Sequence, residues 1–574
     1  MRKIVYILLT MLFFGMTSCD NFLDTTSYTQ KSSENFPKTT GDINQLLTGT
    51  YAVLDKEVYG ESEEGLTNFI IDNIACDDMY GAGGENDKKV QAIDFFMTYG
   101  RDMFEECWGD RYKGIDRANN VLENIDNVEG WSSDEVKNQV QGEAYFLRAL
   151  FYFDLTSLFG EVPLILSTDS TANLPKATPE KEYAQIASDL KNAIELMSKQ
   201  PYNQFVSAGH ATRWAAEGMM ARVFLFYTGF YAKTDMPLAD GGSVTKDDVI
   251  AWLKDCIDNS GHSLVPDYRD LWSYTNKYTV GDYSYTKGQG LAWVENDGAV
   301  NPETIFAIKF SNFASYDAGD KGYSNLMVLR MGCRGGQSYA NTFPFGQGWG
   351  WVTVNPKMWN DWKAAEPNDI RREASIIDIP KELPNYKKGG WNDYVQETDF
   401  LGKKYMPVTA KKSDGSYTIY NSLMYGGTDD YQIGLNQDIV LLRLADVYLM
   451  YAELTEDATY MNKVRERAGL PDKPYTLENL QNERRWELAF EGVRWNDIRR
   501  WHIAEQVLGT QNNQPCYFKA TPTKTKEFDG GWVARYQETK GFYPIPESQI
   551  NLSDGVLTQN DGWGTGTSDY AGWE

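Results

Sequence analysis

The stretch SSDEVKNQVQGEAYFLRALFYFDLTSLFGEVP, residues 132–163, decides the fold class. Ser132 followed three residues later by Glu135 has the form of a capping box at a helix start. Beyond it Val140, Ala144, Leu147, Phe151, Leu155 and Leu158 recur at steps of three and four, which places them on one helix face. Gly160 supplies a stop, and Pro163 forbids continuation. So long a helix with an apolar face needs neighbours, and the flanking sequence offers them. Thr178 and Pro179 open a second helix carrying Tyr183, Ile186, Leu190, Ile194 and Leu196. A third runs from Thr212 to Tyr227, with Ala215, Met219, Val223 and Phe226 on one side. Long helices joined by shorter turns predict stacked antiparallel pairs, as in tetratricopeptide arrays, although no strict repeat period is visible.

Towards the carboxyl end, helices are expected over Val440–Leu454, with Leu441, Leu444, Tyr448 and Tyr451 on one face, and over Leu477–Phe490. Between the helical parts, residues 266–355 change character: Gly, Tyr, Trp and Asn dominate, with short strand-like runs such as Thr304–Ile308. A loop-rich stretch on a helical scaffold is where function is usually carried. The expected fold class is therefore mainly α, a tetratricopeptide-like helical hairpin scaffold with a large irregular region carrying short strands.

The amino terminus reads separately. Met1-Arg2-Lys3 is cationic, and Ile4 to Phe14 is apolar but too short for a permanent membrane span. Gly15-Met16-Thr17-Ser18-Cys19 then has the form of a bacterial lipobox, in which Cys19 is lipidated and begins the mature chain. The expected organisation is a signal peptide over 1–18, a lipidated Cys and polar tether over 19–38, a helical region over 39–260, and a loop-rich and carboxyl-terminal region over 261–574, packed with the preceding region as one unit.

The 574 residues carry a net charge of −26, which disfavours nucleic acid and strongly anionic ligands. The 17 Trp and 36 Tyr suit either binding surface, because a ring offers a flat face at low entropy cost, or a Tyr-rich core, and composition does not separate the two. With Cys19 acylated, five cysteines remain at long, irregular spacings, which excludes a zinc pattern and leaves a Cys76–Cys107 disulfide open. His210, His262 and His502 share no ligand spacing, and no phosphate loop or nucleophile elbow stands in context. Glu483, Glu487 and Glu491 lie four apart, so three like charges stack on one helix face unless cations meet them. Arg443, Arg484, Arg485, Arg494 and Arg499 are available, which favours a partly buried ion-pair network over a hydrolytic carboxylate pair. No enzyme is expected and no cofactor, although the many loop carboxylates leave a structural Ca²⁺ open.

A set of motifs then recurs in a familiar order: NFLD at 21–24, EAYFLRALFYFDLTSLFGEVPL at 143–164, ATRWAAEGMMARVFLF, DIVLLRLADVYLMYAEL at 438–454, NERRWELAFEGVRWNDIRRW at 482–501, FYPIPESQI and QNDGW. Together, behind a lipobox, they resemble the SusD/RagB family of Bacteroidetes surface nutrient receptors. The acidic residues Asp20 and Asp24 resemble that group's surface-export signal. The resemblance implies an outer-membrane, extracellular lipoprotein. It would bind an oligosaccharide and deliver it to a SusC-like TonB-dependent transporter. A peptide receptor of the same architecture and a glycoside hydrolase are the rival readings. By the family's placement of ligand, Asp77–Lys88, with Asp78 and Tyr80, and Trp272–Trp351, with Trp293, Arg334, Tyr339, Trp349 and Trp351, are the expected binding stretches.

Overall fold

The computed structural model describes residues 36–54, 66–170, 173–204, 209–310, 324–528, 530–564 and 568–573. The signal segment, Cys19 and most of the tether lie outside the described residues. The helices of the scaffold include α1 (Thr40–Val53), α2 (Glu105–Asn124), α3 (Asp134–Phe159), α4 (Pro179–Leu196), α5 (Arg213–Phe230), α6 (Lys246–Asn259), α7 (Leu444–Thr455), α8 (Thr459–Arg467), α9 (Leu477–Glu487) and α10 (Arg494–Arg500). From α1 to α6 each packs on the next, and α6 packs on α7 although the whole irregular region separates them in sequence. None is long and apolar enough to cross a membrane, among the described residues.

α3 is the spine. From Ala144 onward its apolar side chains are buried, which is why its sequence is greasy on more than one face. Helix α2 comes so close that a Cβ on Gly114 would stand 2.4 Å from the Phe151 ring. Arg148 crosses from α3 to α4, where Asp189 accepts its Nε and Nη2 at 2.8 and 2.7 Å. The start of α3 differs by one residue from the expectation. Ser133 is the cap, its Oγ accepting from Val136 N at 3.2 Å, and Glu135 instead accepts the hydroxyl of Ser198. Thr178 and Thr212 precede α4 and α5 as expected.

Two further expectations change. Residues 439–443 are not helical: they form β6 (Ile439–Arg443), antiparallel to β2 (Thr304–Ile308), and α7 begins only at Leu444. The run Ile-Val-Leu-Leu suits a buried strand as well as a helix, and its partner lies too far along the chain to be seen locally. Helix α9 ends at Glu487, so Glu491 lies beyond it. Cys76 and Cys107 are both free: each buried thiol donates to a carbonyl, of Asn73 and Leu66 respectively.

Candidate functional site

The acids 483, 487 and 491 meet the cations that their spacing demands. Arg371 Nη1 reaches Glu483 at 2.6 Å and Glu487 at 2.9 Å. Arg443 spans Glu303, Glu487 and Glu491 at 2.8, 2.5 and 2.7 Å, and Lys404 meets Glu491 at 2.6 Å. Burial pushes the Glu487 carboxyl up, but Arg467, Arg443 and Arg371 hold it well below the ordinary range. Burial acts on Glu491 likewise, and Arg443 and Lys404 hold it below. A hydrolase needs one carboxyl protonated near neutrality, and neither of these is. Among the expected cations, Arg484 pairs with Asp446 and Asp497, while Arg485 and Arg494 take Asp77. Arg499 makes no ion pair with a carboxylate among the described residues, although Asp72 lies near enough to act on its charge: it lies among aromatic rings and donates to Ser157 O. Among the described residues no three His, Cys, Asp or Glu side chains converge as metal ligands.

Four of the expected binding residues prove to be packed into the scaffold. Asp78 is buried against Arg485 at 2.6 Å. Tyr80 is buried on β1 (Met79–Gly81) and donates to Gln511 O at 3.0 Å. Trp272 is buried edge-on to Tyr405 beneath Lys404, and Trp293 is buried edge-on to Tyr420. In this conformation none of them offers a ring face or a free carboxylate to a ligand.

Of the other four, Arg334, Trp349 and Trp351 fall in one region. Arg334 lies on β3 (Cys333–Arg334), which pairs in parallel with β4 (Gln347–Gly348). Its guanidinium clamps three loops. Nε and Nη2 donate to the two carboxylate oxygens of Asp393 at 3.0 and 2.6 Å. Nη1 donates to Asp87 Oδ2 at 3.0 Å and Trp349 O at 2.6 Å. Burial opposes the Arg334 charge, but the Asp393 bond and both carboxylates hold its pKa above the ordinary value. Burial pushes the Asp87 carboxyl up, against the Gly84 amide and Arg334. The clamp needs glycines around it: a Cβ on Gly84 would stand 2.1 Å from Arg334 Nη2, and one on Gly390 2.3 Å from Arg334 Cγ.

Trp391 lies over this clamp, with the guanidinium carbon 5.0 Å from its ring centroid. It is 52% exposed, although tryptophan is ordinarily well buried. The indole rests on Gly335, where a Cβ would stand 1.8 Å from Trp391 Cζ2. Alongside, half-buried Trp349 meets Trp351 at 5.4 Å, and Arg330 sits 5.8 and 5.2 Å from their ring centroids. Tyr339 is half-buried beside another segment, its hydroxyl pushed up to about 12 by burial and then by Tyr431, Asp430 and Asp429. The structure thus gathers Arg334, Trp349 and Trp351 around a ring that sequence reading missed. The available signal was Gly389-Gly390-Trp391-Asn392-Asp393, a tryptophan in a polar, glycine-led loop, which marks a candidate ring without fixing which way it faces. The result is a flat apolar face ringed by Asp87, Asp393 and Asn392, suited to a ligand with C–H faces and hydroxyl edges.

Residues 302–563 match the family model described as the SusD family, and residues 21–225 match one described as starch-binding, associating with the outer membrane. A SusD-like protein of Bacteroides ovatus is 24% identical over 512 residues, covering 82% of each chain. The starch-binding protein SusD of Bacteroides thetaiotaomicron is 23% identical over 599 aligned positions, covering 97% of this chain and 98% of its own. Among solved structures, a laminarin-binding SusD-like protein superposes with a TM-score of 0.68 at 23% identity, over 92% of this chain and 100% of that one. Surface glycan-binding protein A of Bacteroides thetaiotaomicron, in complex with laminarihexaose, gives 0.68 at 20% identity, over 91% and 100%. The superpositions establish the shared fold.

Proposed function

This chain belongs to the SusD/RagB family, and from that premise we propose that it is a glycan-binding receptor of the bacterial cell surface, not an enzyme. One observation carries the reading: Trp391 is held flat and open over a guanidinium whose bonds are already made. Arg334 is spent on fixing the loops, so the ring is preorganised and the ligand meets a rigid face. Sugar C–H groups stack on the indole, and Asp87, Asp393 and Asn392 take hydroxyls at its edge. The names of the relatives, which bind starch and laminarin, support a glycan. A lipid on Cys19 would hold the protein at the outer membrane, and a SusC-like TonB-dependent transporter would receive the ligand.

The test is titration of the full chain with a panel of neutral and acidic glycans and of peptides. At least one glycan binds, and Trp391→Ala lowers its affinity about tenfold or more, a loss of roughly 1.4 kcal/mol. Binding of peptides with no glycan bound would replace this reading with that of a peptide receptor. Mass spectrometry of the mature amino terminus, expected to show an acylated Cys19, and co-purification with a barrel transporter test the delivery role.

A further inference from the structure

A second concavity lies away from Trp391 and shares no lining residue with its surroundings. It is a cleft of about 730 Å³ between the carboxyl ends of α3 and α5 and the segments around residues 536–542 and 558–561. That volume is in the range of small-ligand sites, roughly 300–1,000 Å³. Half-buried Phe230, Tyr231, Tyr536 and Phe542 form its aromatic lining. Phe230 stands edge-on to both Tyr231 and Phe542, at 4.9 and 5.5 Å. Exposed Glu161, Gln537, Lys540 and Asp561 supply acceptors and donors at its margin.

These rings are fixed from behind. Arg499 is buried, with its guanidinium carbon 5.0 Å from the Phe230 centroid and 4.7 Å from that of Phe542. Its Nη1 donates to Ser157 O at 2.7 Å, while Nε and Nη2 have no hydrogen-bond partner among the described residues. This cation rests on ring faces in place of carboxylates, and it sets their positions before any ligand arrives. The end of α5 is pinned as well, by His502 Nε2 donating to Gly229 O at 3.0 Å. Charge around the cleft is balanced: Glu161, Glu505 and Asp561 face Lys176 and Lys540 at the lining and Arg499 behind the rings. With no net charge to match, ring faces flanked by donors and acceptors suit a neutral, hydroxyl-rich ligand.

We propose that this cleft is a second binding site for a neutral oligosaccharide, so that each chain holds glycan at two separate places. The proposal rests on the glycan-receptor reading of the chain, yet the two can fail separately. The probes are neutral hexasaccharides of β-1,3-glucan, α-1,4-glucan, β-1,4-xylan and β-1,4-mannan, titrated calorimetrically into the full chain. For a hexasaccharide that binds, wild type takes two equivalents; Trp391→Ala takes one, Tyr231→Ala takes one, and the double variant takes none. Because Tyr231→Ala also removes packing, Gln537→Trp, which fills the cleft from an exposed position, should reproduce its loss with the fold intact. If Trp391→Ala abolishes all binding, the cleft proposal is overturned and the Trp391 reading stands. If binding is lost in Tyr231→Ala and Gln537→Trp but unchanged in Trp391→Ala, the cleft stands and the Trp391 reading fails. Two equivalents persisting in Gln537→Trp would overturn the cleft, and no binding by any probe would overturn both.

Discussion

Arginine and carboxylate meet in two places in this molecule, to opposite ends. Around Glu487 the partners are sealed from water, and each acid faces several cations. Around Arg334 the carboxylates keep part of their surface, with Asp87 24% and Asp393 31% exposed, and an open indole covers the cation. The first cluster joins α9 to β6, α8 and Arg371, and so ties segments distant in sequence into one body. The second ties three loops into one surface. A buried charge network holds a scaffold because losing any member strands the others; a half-open one can hold a surface and still leave acceptors for a ligand.

The largest effect should come from breaking the first cluster. Glu487→Ala leaves Arg371, Arg443 and Arg467 facing one another in the interior. Removing one partner of a buried pair costs roughly 3–5 kcal/mol. Denaturant unfolding should show a loss of that order or an insoluble protein. A loss below about 1 kcal/mol would mean that the network is hydrated and not a clamp.

Acid should separate the two regions next. Asp77 is pushed up by burial but pulled down to about 2 by Arg485 and Arg494, and Asp446 likewise to about 2 by Arg484 and Arg222. Folded values below the unfolded one mean stability that is full above about pH 4 and lost as pH falls towards 2, about 2 kcal/mol for each group. Asp87 has the opposite sign: its folded value is raised, so protonation there stabilises the fold as pH falls, while weakening the ion pair to Arg334. Glycan affinity is therefore expected to change at a pH above the ordinary aspartate range, with the fold still intact. Binding and unfolding that titrate together would remove the distinction.

The two regions were also unequally legible in sequence. The spacing of Glu483, Glu487 and Glu491 announced a need for cations, and α3, α4 and α5 followed from apolar periodicity and Ser, Thr or Pro at their starts. Of the cations that answered, Arg443 was legible, whereas Arg371, Lys404 and Arg467 were not, because they arrive by tertiary folding. Strand β6 was hidden for the same reason: its hydrogen bonds go to residues 304–308. Of the eight residues expected to bind, Trp272 and Trp293 illustrate the limit. A tryptophan in a polar loop reads the same whether it packs inward or stands out, and only the neighbours brought by folding decide. Arg334 was legible as a cation of the loop-rich stretch, but not as the support of Trp391.

The finest test asks whether Trp391 must lie flat or need only be present. Gly335→Ala puts a methyl where the indole now rests, 1.8 Å from Trp391 Cζ2. No positive φ is demanded at Gly335, so the backbone accepts alanine. The half-exposed ring is the part free to move, and it should swing off the clamp. Gly335 is itself buried, but the group it displaces is half exposed, so stability should then fall by less than about 1 kcal/mol. Affinity for the glycan should fall several-fold, because the preorganised orientation is lost while the ring remains. In the sealed cluster no such separation is available, since nothing there can move without exposing charge. Wild-type affinity in Gly335→Ala, with the indole shown by fluorescence to have shifted, would mean that the surface around Trp391 adapts to its ligand, and that rigidity belongs to the scaffold alone.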